Sequence, residues 1–346
     1  MTELEALLAL SPFVVVLILM ALIFDFLNGM NDAANSIATI VSTKVLRPGQ
    51  AVAMAAFFNF IAAFAVSTSV ALTMGKGIIS PEIATTRLVF ASLLGAIVWT
   101  ALATYGGLPI SVSHALVGGL VGAGLVSAGS GVVQSGLWKV VAFMVLSPLI
   151  GMIFGFVFMV LALNAVRRSS LERINRWSRR LQLISASAFS FSHGLNDAQK
   201  TMGIIIFLLY GAGYFSSIGR EGVGDIFVPF WVIISAHTAI ALGTLVGGWR
   251  VIRTMGMRVT RLRPIHGCVA ESAGAATIIG CSIAGIPVST THTITGAIIG
   301  VGSTRRLSAV RWGVTRNIVW AWILTIPLSA IISGAAYFLT TLINPS

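Results

Sequence analysis

Two short polar words interrupt the long apolar runs of this chain, and each occurs twice, in the same order. Asn28-Gly29-Met30-Asn31-Asp32-Ala33-Ala34-Asn35 is answered 165 residues later by His193-Gly194-Leu195-Asn196-Asp197-Ala198-Gln199-Lys200. Gly107-Leu108-Pro109-Ile110-Ser111-Val112-Ser113-His114 returns at an offset of 178 as Gly285-Ile286-Pro287-Val288-Ser289-Thr290-Thr291-His292. Polar groups in hydrocarbon are costly unless they are partnered or functional. A chain that repeats that cost in matched order is expected to build one site from two halves.

The apolar runs set the solvent. Of 346 residues 56% are hydrophobic and only 9% charged, and several windows exceed the roughly 18–20 apolar residues that span a bilayer. Glu3 and Glu5 stand where a cleavable signal would be basic, and the first apolar run leads straight into the first Asn-Asp word. Cys268 and Cys281 lack metal-ligand spacing and read as buried thiols. The net charge of +12 does not point to nucleic acid. Most Lys and Arg residues fall in four patches: Lys44 and Arg47, Arg167 to Arg180, Arg250 to Arg263, and Arg305 to Arg316. That is the bias of cytoplasmic loops.

Walking the chain between these patches gives a topology with the N-terminus outside. Ser11 to Val41 crosses inward and Ala51 to Met74 outward, to a loop with Lys76, Glu82 and Arg87. Leu88 to Tyr105 and Ile110 to Ser127 form a pair that returns outside, as two spans or one re-entrant hairpin. Leu137 to Leu163 then runs to the arginine cluster. The second half repeats the plan upside down. Leu181 to Leu209 runs outward to a loop with Arg220, Glu221 and Asp225, and Val228 to Gly247 returns. A second pair, Ile265 to Ala284 and Val288 to Gly302, begins and ends inside, and Ile318 to Leu342 exits. The expected fold is an all-α polytopic membrane protein, an inverted-topology repeat with broken helices and two hairpin pairs. Its units are residues 1–166, a basic cytoplasmic linker 167–180, and residues 181–346.

The words carry chemistry. Asn28-Gly29 and Gly194 fall where a helix would pass the bilayer interior, so a broken helix is expected there, with backbone lining a cavity. Oxygens of Asn28, Asn31, Asp32, Asn35, Asn196 and Asp197 suit a hard cation such as sodium, and no soft sulfur ligand is present. The plainer alternative is a polar clamp between helices. Pro109 and Pro287 interrupt helices, and Ser111, Ser113, Ser289 and Thr291 can cap the helix that follows. Such an N-terminus also attracts anions.

Lys200 is the only cation in the words. It either balances an oxyanion or pairs with Asp197 or Asp32. His114 and His292 contact substrate, carry protons, or fix the hairpins. Glu271, opposite Leu93, is either a coupling or gating carboxylate or one half of an ion pair, and His237 is a packing residue. Gly118/Gly122 and Gly296/Gly300 have the spacing of close helix packing.

Taken together, Gly29 to Asn35, Gly194 to Lys200 and Gly285 to His292 resemble the inorganic phosphate transporter (PiT) family over nearly the whole chain. The resemblance implies symport of inorganic phosphate with sodium or protons, often as a homodimer, in the cytoplasmic (inner) membrane. It allows a neutral metal–phosphate complex as cargo. It also implies that Asn31, Asp32, Asn196 and Asp197, with Ser111, Ser113, Ser289, Thr290 and Thr291, form the substrate and ion sites. Met30 and Ala33 replace Ala and Val of many members, both apolar changes. The large central cytoplasmic domain of animal members is lacking, which is the compact bacterial form. No cofactor is expected, and no metal beyond a transported sodium.

Sulfate transport is the nearest rival. An intramembrane Ser/His/Asp hydrolase is disfavoured, because a triad needs one copy of each group and both words are duplicated. No G-x-S-x-G, HExxH or Walker A sequence occurs.

Overall fold

The computed structural model describes residues 2–65, 68–78, 83, 85–132, 136–220, 227–258 and 262–343. Among these there are helices and no strand. In chain order the helices are α1 (Glu3–Leu8), α2 (Pro12–Ser42), α3 (Pro48–Ile61), α4 (Ser69–Gly77), α5 (Thr86–Gly106), α6 (Val112–Ala128), α7 (Gly136–Val166), α8 (Leu171–Gly211), α9 (Tyr214–Ser217), α10 (Phe230–Val246), α11 (Trp249–Arg258), α12 (Pro264–Ile283), α13 (Thr290–Ser303) and α14 (Trp312–Ile343). The loop charges Glu82, Glu221 and Asp225 lie outside the described residues.

Helices α2, α5, α7 and α14 are long and apolar enough to cross a membrane. Large apolar side chains such as Val145, Leu161, Trp320, Ile331 and Phe338 stand exposed along α7 and α14, which suits a lipid surround. Helix α8 has 41 residues, about 60 Å at 1.5 Å per residue. Its first turns carry Arg173, Arg176, Arg179 and Arg180, so much of the basic linker is the head of this helix. Its middle carries the second Asn-Asp word.

The two halves are laced together. Helix α6 packs on α14 and α13 on α7, so each hairpin's second arm rests on the last helix of the other half. Gly118 and Gly122 face the backbone of Ile326 and Ala330, and Gly296 and Gly300 face Pro148 and Met152, positions related by the same offset of 178. These glycines therefore serve close approach between halves, rather than within a hairpin. The match extends to Ser329 and Ser333, whose hydroxyls donate to Ala115 O and Gly119 O at 2.6 Å. Their equivalents Gly151 and Gly155 press on Thr293 O and Ala297 O.

The break expected at Asn28-Gly29 and at Gly194 is not there: α2 and α8 run unbroken through both words. Glycine at these positions has a different cause. A Cβ on Gly29 would collide with Ile240 O, and one on Gly194 with Asn59 O, so both let a neighbouring helix approach closely. Interruptions occur instead between α3 and α4, between α10 and α11, and at the hairpin tips. At each tip a left-handed glycine, Gly107 (φ 71°) or Gly285 (φ 67°), ends the first arm. The cap hydroxyls of Ser111 and Ser289 then accept from the N–H of His114 and His292 to start the second.

Candidate functional site

The hairpin tips meet between α2 and α8, where both Asn-Asp words are buried. Thr291 Oγ1 lies 3.2 Å from Asp32 Oδ1 and 3.1 Å from Ile110 O, so the second tip touches the first tip and the first aspartate together. Thr290 Oγ1 sits between the carboxylates, 3.3 Å from Asp32 Oδ2 and 3.0 Å from Asp197 Oδ2. Asn35 Nδ2 donates to Thr291 Oγ1 at 2.9 Å. Lys200 Nζ donates at 2.6 Å to each of Asp197 Oδ1, Ser113 Oγ and Val288 O. Lys200 is thus ion-paired with Asp197.

The asparagines of the words do not touch the aspartates. Asn31 Nδ2 donates to Thr104 Oγ1 and Asn196 Nδ2 to Ser282 Oγ, each at 2.8 Å, again a pair related by the offset of 178. Their carbonyl oxygens, Oδ1 of Asn31 and of Asn196, have no protein partner among the described residues. Asn28 turns back to Asp25 Oδ1 at 3.4 Å. Ser111 and Ser289 are occupied as helix caps, but the first N–H groups of α6 and α13 have no intrahelical acceptor. Ser113 in the first turn of α6 and Thr290 and Thr291 in that of α13 belong to the cluster, so both partially positive helix ends lie at it.

His193, the register equivalent of Asn28, is the residue that motif reasoning undervalued. Its Nε2 lies 3.2 Å from Asp197 Oδ2 and 3.6 Å from Asp32 Oδ2. Its Nδ1 faces Asn59 Oδ1 at 3.2 Å. Asn59 Nδ2 donates to Thr244 Oγ1, so Asn59 Oδ1 is the acceptor and Nδ1 carries the hydrogen. Nε2 is then the atom that can take up a proton, facing two carboxylates. Asp32, His193 and Asp197 also lie close enough for one ion to be held by all three. The offset of 165 places His193 opposite an asparagine, and that asymmetry was the available signal.

The remaining candidates lie outside this cluster. His114 and His292 contact each other, with ring centroids 4.8 Å apart. His292 also stacks on Trp322 at 3.8 Å and donates from Nδ1 toward Met144 O at 3.2 Å, which are packing contacts. His237 Nδ1 lies 2.9 Å from its own helix carbonyl at Ile233. Glu271 has no cationic partner among the described residues, so the ion-pair reading does not hold. It is fully buried and accepts from Thr39, Gln182 and Ser185.

Every member of the central cluster is at most 9% exposed, and all come from one chain. A buried, oxygen-lined site at two helix N-termini, inside a bundle of apolar helices, defines a multi-pass membrane transporter. The phosphate transporter family model matches residues 28–333. A "Probable low-affinity inorganic phosphate transporter" of Rhizobium meliloti (strain 1021) is 52% identical over 333 residues, covering 96% of this chain and 98% of the relative. One of the same description from Bacillus subtilis (strain 168) is 38% identical, covering 95% and 97%. A solved structure described as "The sodium-dependent phosphate transporter" superposes with a TM-score of 0.84 at 26% identity, covering 96% of this chain and all of that one. The chain belongs to the phosphate transporter family; it is a transporter and not an enzyme.

Proposed function

We propose that this chain imports inorganic phosphate by symport with a cation, sodium or a proton, through alternating access of two inverted halves, residues 1–166 and 181–346, joined by the linker 167–180. The observation that carries the reading is a charge imbalance in a buried site. Asp32 and Asp197 are both buried, and among the described residues Lys200 is the one permanently charged cation beside them. An oxyanion cannot join two carboxylates and a single ammonium in a low-dielectric cavity unless a further positive charge enters with it. The relatives' printed names, for inorganic phosphate and for sodium dependence, support the same cargo and an accompanying ion.

The anion would sit against the N-termini of α6 and α13, near Ser113, Thr290 and Thr291, with Asp32 and Asp197 holding the cation or the protons of the phosphate. A carboxylate can accept a hydrogen bond from protonated phosphate but not from fully ionised sulfate, which favours phosphate over the sulfate rival. The basic patches support an orientation in the inner membrane with the N-terminus outside and the linker in the cytoplasm. The burial of the site supports alternating access. Thr73 Oγ1 of α4 holds Gly285 O at 2.8 Å, and Thr254 Oγ1 of α11 holds Gly107 O at 3.1 Å. Each hairpin tip is thus latched by a broken helix of the other half, and release of one latch at a time would open one side.

The test is phosphate uptake into proteoliposomes with sodium and pH gradients imposed separately, for wild type, Asp32→Asn and Asp197→Asn. Uptake driven by one of the gradients, and lost in both variants while they stay monodisperse, is the expected result. Unchanged uptake in both variants sinks the assignment. Competition by excess sulfate as strong as that by unlabelled phosphate would reassign the cargo.

A further inference from the structure

Lys200 and Asn35 hold the same register position in the two halves, and the atoms around them correspond. Lys200 Nζ is held by a carboxylate oxygen of Asp197, the hydroxyl of Ser113 and the carbonyl of Val288, each at 2.6 Å. The equivalents, by the offsets of 165 and 178, are Asp32, Thr291 and Ile110. These three meet too: Thr291 Oγ1 lies 3.2 Å from Asp32 Oδ1 and 3.1 Å from Ile110 O. The same carboxylate, hydroxyl and carbonyl converge in both places. Only one of the two places contains a lysine. In the other, Asn35 reaches the hydroxyl with its amide, and the carboxylate faces the titratable His193 ring at 3.6 Å rather than an ammonium.

We propose that Lys200 is a tethered cation filling one of a matched pair of monovalent-cation sites, so that only the site of Asp32, Thr291 and Ile110 takes a mobile ion. The inference rests on the cation-coupled transport proposed above, and it deepens that reading by setting how many cations accompany the cargo. An ammonium has three hydrogens and no acceptor. All three are used here by oxygens at short range, and Lys200 is 2% exposed. An oxygen-only donor set of this kind also suits a hard metal cation. Because the ammonium is covalently attached, it neutralises Asp197 in every conformation and contributes no charge to the flux. The second half is therefore charged in advance, and the first half is the one emptied and refilled in each cycle.

Exchanging the two residues tests this. The measurements are equilibrium binding of radioactive sodium to the detergent-solubilised chain and the sodium-to-phosphate flux ratio in proteoliposomes. Lys200→Asn copies the first half and is expected to bind one more sodium per chain than wild type, whichever ion drives wild-type uptake. Asn35→Lys copies the second half and is expected to fold while losing at least tenfold in cation-driven phosphate uptake. A folded Lys200→Asn with the wild-type sodium number overturns the proposal, as does wild-type uptake by Asn35→Lys. Failure of both variants to fold also overturns it, since matched sites should tolerate the exchange. Absence of wild-type phosphate uptake under either gradient would instead defeat the transport reading itself.

Discussion

The Thr290 hydroxyl lies 3.0 Å from Oδ2 of Asp197, tying the tip of the second hairpin to the helix that carries the second Asn-Asp word. The same oxygen is 3.3 Å from Asp32 Oδ2, yet a hydroxyl has one hydrogen to give. It can serve one carboxylate at a time. Thr290→Val keeps the shape and removes that hydrogen, so a buried carboxylate loses a donor, at a cost of about 1–3 kcal/mol. We expect a lower melting temperature and phosphate uptake reduced at least tenfold, with Thr290→Ser restoring most of both. Uptake by Thr290→Val equal to wild type would remove Thr290 from the site.

His193 makes a second prediction, because its protonatable nitrogen faces Asp32 from α2 and Asp197 from its own helix, while Asn59 of α3 holds the other nitrogen. Histidine is the side chain whose ordinary titration falls between about pH 5 and 8. His193→Asn installs the residue found at the equivalent Asn28. Uptake by this variant is expected to lose its dependence on an imposed pH gradient while the chain still binds phosphate. The readouts are uptake rate against pH and phosphate binding by calorimetry. A pH profile superimposable on wild type would count against any proton role for this ring.

How much of this was legible in the chain depends on the residue. The duplicated words, their offsets and the hairpin caps at Ser111 and Ser289 are visible because they rest on local rules of turn and cap chemistry. The role of Gly29 and Gly194 is not, because a glycine that breaks a helix and one that admits a neighbour look alike until the neighbour is placed. Thr104, Ser282, Asn59 and Thr244 are single polar residues in apolar helices with no motif around them. Their pairing with Asn31, Asn196 and His193 is tertiary. Even so, Thr104 and Ser282 share the offset of 178, so applying the register to every polar residue would have found that pair.

The laced packing of the halves gives a stability prediction. A Cβ added at Gly122 would meet Ala330 O, and one at Gly300 would meet Met152 O, both rigid backbone. Overpacking of this kind costs about 1–3 kcal/mol. Gly280 has nothing within 4 Å of an added Cβ and lies within α12. Gly122→Ala and Gly300→Ala should each lower the thermal midpoint in detergent, and Gly280→Ala should leave it unchanged or raise it, since alanine favours helix by about 1 kcal/mol over glycine. Equal behaviour of all three would contradict the close contacts of α6 with α14 and of α13 with α7.

Glu271 sits at the centre of a polar cluster with no counterpart in the other half. Thr39, Gln182, Ser185 and Glu271 correspond by register to Ile204, Leu17, Met20 and Leu93, of which Met20 packs against the apolar core and the others lie in it. One half thus tolerates hydrocarbon where the other keeps a carboxylate with three donors around it. Replacing a buried polar group by well-packed apolar residues is often neutral or stabilising, whereas removing one partner is not. Glu271→Leu alone strands three donors, each costing about 1–3 kcal/mol if left unmet, and should express poorly. The fourfold change Thr39→Ile, Gln182→Leu, Ser185→Met and Glu271→Leu copies the other half and should recover a thermal midpoint near that of wild type. If the carboxylate gates or couples transport, this stable variant will bind phosphate yet fail to concentrate it under an imposed gradient. Concentrative uptake at the wild-type rate would reduce the cluster to packing. Comparing the single and the fourfold variant separates the two roles, because stability and transport then move in opposite directions.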